Sequence, residues 1–366
     1  MLDGVSSRCF FDAELWHMVH YSVGATECTG QALAVCPALR LVAVVTDVGR
    51  KIEVFEIPKG PFYEDPPPKV LFNRVAIMRI PCSDAENTFR LREQQGVPAC
   101  IAFTDSSCPT PNLLLVADCA AHTVRMIDVV RKEQMGTVGE RSAVRFPRSV
   151  ATKGSFVAVG RWESATEGSH EIDLFEHSDS AWRLVRSVGS GFGMPGPAHG
   201  QLHCPLSMIF TPDCSFLWVV DAYNNRISKV CRETGELAQI RTTGTKIPIF
   251  IESDDVGYAL VLFMGTTGIR VFEGHEFSGE KRRFPLEDGP GNYFFVQLAR
   301  MPEFGILALN TRNDKLTTLA IPMKLHILGT PDIRVAWMGA VRRGYLHRTL
   351  LGKPSAGLGR TDKRPK

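Results

Sequence analysis

None of the ten cysteines in this 366-residue chain belongs to a CxxC pair, which removes the paired thiolates of a zinc ribbon or a dithiol redox motif. They stand singly at positions 9, 28, 36, 82, 100, 108, 119, 204, 214 and 231. Several lie inside apolar runs, where a free thiol behaves as a small hydrophobe, so reduced and buried thiols are expected. Long apolar runs are missing as well. Stretches such as Tyr258 to Met264 fall far short of the ~18 residues needed to cross a bilayer, so no membrane span is expected. The first residues carry Asp3, Asp12 and Glu14, with no basic segment leading into an apolar run. A signal peptide is therefore not expected, and the chain reads as cytoplasmic. No G-x-S-x-G elbow is present, which excludes the usual α/β-hydrolase nucleophile.

A strong charge of either sign is also lacking, since 42 basic residues face 39 acidic ones for a net charge of +3. The distribution is uneven. Val341 to Lys366 holds eight basic residues and the single acid Asp362, leaving 34 basic and 38 acidic residues for the rest. The body is thus not built for polyanions, and the basic tail reads first as a solvated terminus, with nucleic acid, acidic lipid or a partner protein as the alternatives. Apolar residues at 44% and charged residues at 22% match a globular chain rather than a disordered one.

What is present is a repeat. Short apolar runs ending in a turn are the mark of strands buried on both faces, and six occur: Leu41 to Val45, Leu113 to Ala117, Phe156 to Val159, Phe216 to Val220, Tyr258 to Phe263 and Ile306 to Leu309. After each turn comes a second strand, apolar at its first and fourth positions: Ile52 and Phe55, Val124 and Ile127, Ile172 and Phe175, Ile227 and Val230, Ile269 and Phe272, Leu316 and Leu319. Successive first positions are 72, 48, 55, 42 and 47 residues apart, scattered above the ~40 to 50 of a propeller blade. Insertions account for the excess. One is the proline-rich connector Pro58 to Pro68, and another is Trp162 to His170, expected as a protruding hairpin after a turn at Gly160. Long loops on a rigid scaffold commonly carry recognition.

A further echo joins Trp16-His17-Met18-Val19-His20-Tyr21-Ser22-Val23-Gly24 to Trp182-Arg183-Leu184-Val185-Arg186-Ser187-Val188-Gly189. It marks an outer strand, and nothing precedes the first copy to use it. The fold expected is all-β: a six-bladed β-propeller over residues 1–330, with the N-terminal strand closing the last blade, followed by a basic extension over 331–366. Asp221-Ala222-Tyr223-Asn224-Asn225-Arg226-Ile227 and Ala117-Asp118-Cys119-Ala120-Ala121-His122-Thr123-Val124-Arg125 resemble NHL-repeat propellers. Blades of that family end a strand in V-x-D, turn through an Asn-His-Arg type sequence and continue in an apolar strand. The other four copies depart from this pattern. NHL propellers often sit behind RING-type zinc modules in ubiquitin ligases, and with no such module here ligase activity is not expected.

Each candidate for chemistry has a plainer explanation. Gly191-Phe192-Gly193-Met194-Pro195-Gly196 spells GxGxxG, but Pro197, Gly200 and Pro205 follow where a phosphate-binding helix would have to start. His199, His203 and Cys204 are a plausible ligand set, yet their spacing converges only on a helix. The resemblance also implies possible zinc-binding lyases and calcium-binding lactonases, and the histidines form no inner-strand series. Asp118, His122, Asp221, Asn224 and Arg226 recur, as an architectural device does and a unique site does not. No catalytic residue, metal or cofactor is therefore assigned. The expected function is a monomeric, non-catalytic scaffold binding a protein partner through one rim and its inserted loops. Its binding residues are Trp162, Glu163, His199, His203, Arg342, Arg343 and Arg348. The alternatives are a metal-dependent hydrolase or lyase acting on a small molecule at the central channel, and RNA binding through the basic tail.

Overall fold

A computed structural model describes residues 19–25, 32–46, 51–57, 73–79, 100–119, 121–139, 144–162, 168–189, 196–198, 200–253, 258–263, 268–273, 280–285, 295–301, 305–310 and 315–320. All of them fall in one compact unit. After β1 (Val19–Ala25), the chain forms five sheets in succession, each from four consecutive strands. The first contains β2 (Ala32–Cys36), β3 (Leu41–Thr46), β4 (Lys51–Glu56) and β5 (Asn73–Arg79). The second contains β6 (Ile101–Phe103), β7 (Leu114–Asp118), β8 (Thr123–Asp128) and β9 (Glu133–Val138). The third contains β10 (Pro147–Lys153), β11 (Phe156–Arg161), β12 (Glu171–Ser178) and β13 (Ala181–Gly189). The fourth contains β14 (Pro205–Phe210), β15 (Phe216–Asp221), β16 (Arg226–Cys231) and β17 (Leu237–Thr242), and the fifth β18 (Pro248–Ser253), β19 (Tyr258–Phe263), β20 (Gly268–Glu273) and β21 (Glu280–Pro285). In the sixth, β22 (Phe295–Met301), β23 (Gly305–Asn310) and β24 (Lys315–Ala320) are joined by β1, which pairs antiparallel with β24.

The apolar runs are the second strands, and where their side chains are described both faces are covered. Val42, Ala43, Val44 and Val45 are buried, as are Leu114 to Ala117 and Leu217 to Val220. The paired apolar positions of the third strands, Ile52 with Phe55 and Ile172 with Phe175, are buried as well. Each core cluster lies between successive sheets, so one holds residues of the first and second, another of the second and third. First strands are neighbours in turn: β2 beside β6, β6 beside β10, and so on through β14, β18 and β22, with β22 beside β2. Two serines at corresponding positions fasten these neighbours. Ser149 Oγ donates to Pro205 O at 2.7 Å, and Ser207 Oγ accepts the Ile251 N–H at 3.2 Å.

The third run is longer than the sequence suggests. Gly160 is no turn residue: it lies inside β11, opposite Ser149 on one side and Ile172 on the other. A side chain there would run into Ser149 Oγ and approach Pro205 O. Only glycine lets the two strands and the next sheet come so close.

Bulges recur at fixed places. Between third and fourth strands the register skips one outer-strand residue, at Val75, Met135 and Val185 in the first three sheets. These three side chains are 44%, 47% and 49% exposed, because a bulged residue leaves the alternation that would bury it. First and second strands also skip a residue just after the opening proline or phenylalanine. The skipped residues are Arg148, Leu206, Ile249 and Val296.

Candidate functional site

The polar residues of the fourth sheet gather at its turn, a single 3-10 turn over Ala222–Asn224. Asp221, fully buried, accepts the His203 N–H at 2.6 Å on Oδ1, and Asn224 Nδ2 at 2.9 Å and Arg226 Nε at 2.7 Å on Oδ2. Burial raises its carboxyl above the ordinary 3.8, against the pull of those three donors. Arg226 extends the net by donating to Pro197 O and Gln201 O, and Asn224 donates to Gly196 O. These bonds tie the connection 196–203 to the turn it crosses. In the second sheet Asp118 likewise accepts the Ala121 N–H and Arg125 Nε.

Two histidines do the same task one sheet apart. His122 Nδ1 accepts the Phe146 N–H at 3.2 Å, and Phe146 O accepts the Trp162 N–H. His170 Nδ1 accepts the Cys204 N–H at 2.9 Å, and Cys204 O accepts the Ala222 N–H. Phe146 and Cys204 both have left-handed backbone, with φ of 51° and 58°, and each precedes the proline that opens a first strand. A turn histidine thus holds an unfavourable backbone conformation at the start of the next sheet. His170 was hidden in the sequence because the insertion after Arg161 shifts it out of register with His122.

One cluster at this end of the sheets does not repeat. Where Leu206, Ile249 and Val296 occupy the first-strand bulge, β10 places Arg148. Its guanidinium carbon lies 4.7 Å from the centre of the Trp162 ring, and its Nε contacts Trp162 O at 3.4 Å. Arg148 is buried, and burial lowers its pKa, opposed by the neighbouring Cys119 and Cys204 thiols. Trp162 leads on to His170 (ring centres 6.2 Å apart), His170 to His203 (5.4 Å) and His203 to Tyr223 (5.2 Å). Tyr223 is exposed and His203 half-buried.

His170, His203 and Cys204 bring potential ligand atoms within 4.8 Å of one another. As arranged they fit a metal poorly. A peptide N–H can only donate, so His170 Nδ1 must accept, and the ring proton of the neutral imidazole then sits on Nε2. Burial, reinforced by Asp221, pushes the Cys204 thiol up to about 12.

The first strands of all six sheets also enclose a central cavity of about 240 Å³. Its lining side chains are mostly apolar, including Leu33, Val35, Ile101, Val150, Met208 and Ile251, with Thr152, Ser207 and Glu252 polar, yet polar atoms make up the larger part of its exposed wall. Glu252 is the one carboxylate among its described lining residues.

The structure separates the residues singled out by sequence. His203 belongs to the cluster just described. Trp162 does not protrude on a hairpin: it is 2% exposed and packs with Trp218, Val220 and Ile227. An indole buries too much apolar surface to stand in water when a neighbouring sheet can cover it. Glu163, His199, Arg342, Arg343 and Arg348 lie outside the described residues, as do the proline connector and the basic tail. Among the described residues between Gly196 and β14 there is no helix for the GxGxxG run to open onto.

Six four-stranded antiparallel sheets whose first strands neighbour one another in turn make a β-propeller, and the solved structures agree. The chain is similar to a calcium-binding protein, regucalcin, from Agrobacterium tumefaciens strain C58, with a TM-score of 0.56 at 12% identity over 83% of this chain and 94% of that one. It is also similar to hydrazine synthase from Kuenenia stuttgartiensis, with a TM-score of 0.51 at 14% identity over 80% and 84%. Likeness at such identities shows the fold alone. No protein-family model matches the chain, and no curated protein matches it. Among the described residues no helix is long and apolar enough to cross a membrane.

Proposed function

We propose that the chain is a closed six-bladed propeller of NHL type, acting as a non-catalytic scaffold that binds a protein partner through the face bearing the turns of the third and fourth sheets. The observation carrying this reading is the scarcity of polar side chains at the central cavity, where Thr152, Ser207 and Glu252 stand alone among the described lining residues, which leaves a small polar substrate few side chains to hold it. The cyclic succession of first strands and the β1–β24 pairing support the closed form. Tyr223, 45% exposed on a turn pinned by Asp221 and Arg226, supports the choice of face. A rigid aromatic with a polar tip is the kind of residue that anchors interfaces.

The rival is a metal-dependent hydrolase or lyase, which would draw on His170, His203 and Cys204. Elemental analysis of the purified chain separates the two. The scaffold reading expects calcium and zinc well below one equivalent, and a full equivalent of either would overturn it. A photo-crosslinking residue at position 223 is expected to capture a discrete protein in cells, where the same residue at Met135 captures none.

A further inference from the structure

We propose that the connection entering the third sheet is a proton-operated latch: neutral His122 holds Phe146 in its left-handed backbone, and protonation of the imidazole frees Phe146 and, with it, the backbone N–H of Trp162. This goes beyond the partner-binding reading and does not depend on it. At φ 51° Phe146 is doubly out of place, since a residue with a side chain disfavours that region and a residue before proline favours an extended backbone. Its N–H donates to His122 Nδ1 at 3.2 Å, and the two rings meet edge to face with centres 4.4 Å apart. A peptide N–H can only donate, so this bond exists only while Nδ1 carries no proton. In the imidazolium both nitrogens are donors, and the bond is lost. Imidazoles change charge between roughly pH 5 and 8, and His122 is exposed, so water delivers that proton directly. Around the bond, the turn supplies Cys119 and the closed Asp118–Arg125 ion pair, the connection supplies Arg145, 5.8 Å from the Phe146 ring centre, and β10 supplies Arg148, turned onto Trp162. Arg145 is of like charge, which favours an imidazolium turned outward to water over one held at Phe146. Once freed, Phe146 returns to the extended conformation and its carbonyl swings away from the Trp162 N–H, 3.2 Å from it when the latch is closed. The charge on one exposed side chain of the second sheet thus reaches the buried tryptophan of the third. The same bond recurs between His170 and the Cys204 N–H, which marks it as a built feature of these connections, but His170 is buried and His122 is not.

The test labels the phenylalanine and tryptophan amides of the full chain with ¹⁵N and titrates it over roughly pH 8 to 5. Phe146 is assigned by its loss in Phe146→Leu, and Trp162 by its loss in Trp162→Phe. The expected result is an upfield shift of the Phe146 amide as its hydrogen bond goes, with the Trp162 amide moving at the same midpoint as the His122 ring protons. The Trp218 amide, inside β15 of the fourth sheet, should not move. In His122→Gln, whose side-chain carbonyl accepts a hydrogen bond at any pH in this range, the Phe146 and Trp162 resonances should stay fixed. Were that variant to unfold, the wild-type titration still decides. A Phe146 amide that holds its position throughout, a Phe146 shift with none at Trp162, the same shift in His122→Gln, or movement of Trp218 at the same midpoint would overturn the proposal.

Discussion

Individual side chains at this end of the propeller divide into those that repeat and those that do not. Asp221, Asn224 and Arg226 close a buried net around the connection that precedes β14, and Asp118 with Arg125 builds a smaller version in the second sheet. The thiols are a second residue-scale feature with a measurable consequence. Burial pushes Cys100 up to about 11 and Cys204 up to about 12, from an ordinary 9.0, while hydrogen bonds from Thr234 lower Cys231. In the folded chain Cys100 and Cys204 hold their protons after the unfolded chain has lost them. Their contribution to stability is therefore complete below pH 9 and is lost as pH rises through the folded values. Denaturant midpoints are expected to be insensitive to these thiols at pH 7 to 8.5 and to fall between pH 9 and 12, less steeply in a Cys204→Ala variant. At neutral pH iodoacetamide should modify Cys231 well before Cys100 or Cys204, as mass spectrometry of the digested protein can show. The Asp and Arg residues of the net were legible in the sequence because they recur at fixed spacing. Arg148 and His170 were not, since a bulge and an insertion set their positions, and neither feature leaves a periodic trace.

Among the strands, period and burial agree closely enough that the second and third strands of every sheet were readable as apolar runs and paired apolar positions. First and fourth strands were harder to read. β6 has only three residues, and the exposed apolar side chains at Val75, Met135 and Val185 make no sense without the bulges that expel them. Gly160 shows how a strand interior can pass for a turn: glycine signals both, and only the approach of Ser149 and Pro205 O distinguishes them. Gly160→Ala is accordingly expected to destabilise the protein by about 2 kcal/mol, through overpacking and displacement of the Ser149–Pro205 bond that joins the third sheet to the fourth. Urea denaturation measures it. A loss below 0.5 kcal/mol, roughly the level of an ordinary surface substitution, would mean that the strands separate easily.

At the scale of the whole molecule, the pairing of β1 with β24 makes the first and last described strands members of one sheet. Deleting residues 1–25 should leave β24 as an unpaired edge. The truncated chain is expected to elute as soluble aggregate and to unfold at a lower temperature than the full chain. A monomer of unchanged heat stability would show that β1 is dispensable. The same pairing has a consequence in time. About 290 residues separate Ala25 from its partner Lys315, so a ribosome that has made β1 must still make the five intervening sheets before the partner exists. β1 is thus left waiting while those sheets can already form behind it. Until β24 emerges the nascent chain carries formed sheets beside one loose strand, and that is the interval in which a chaperone would find something to hold.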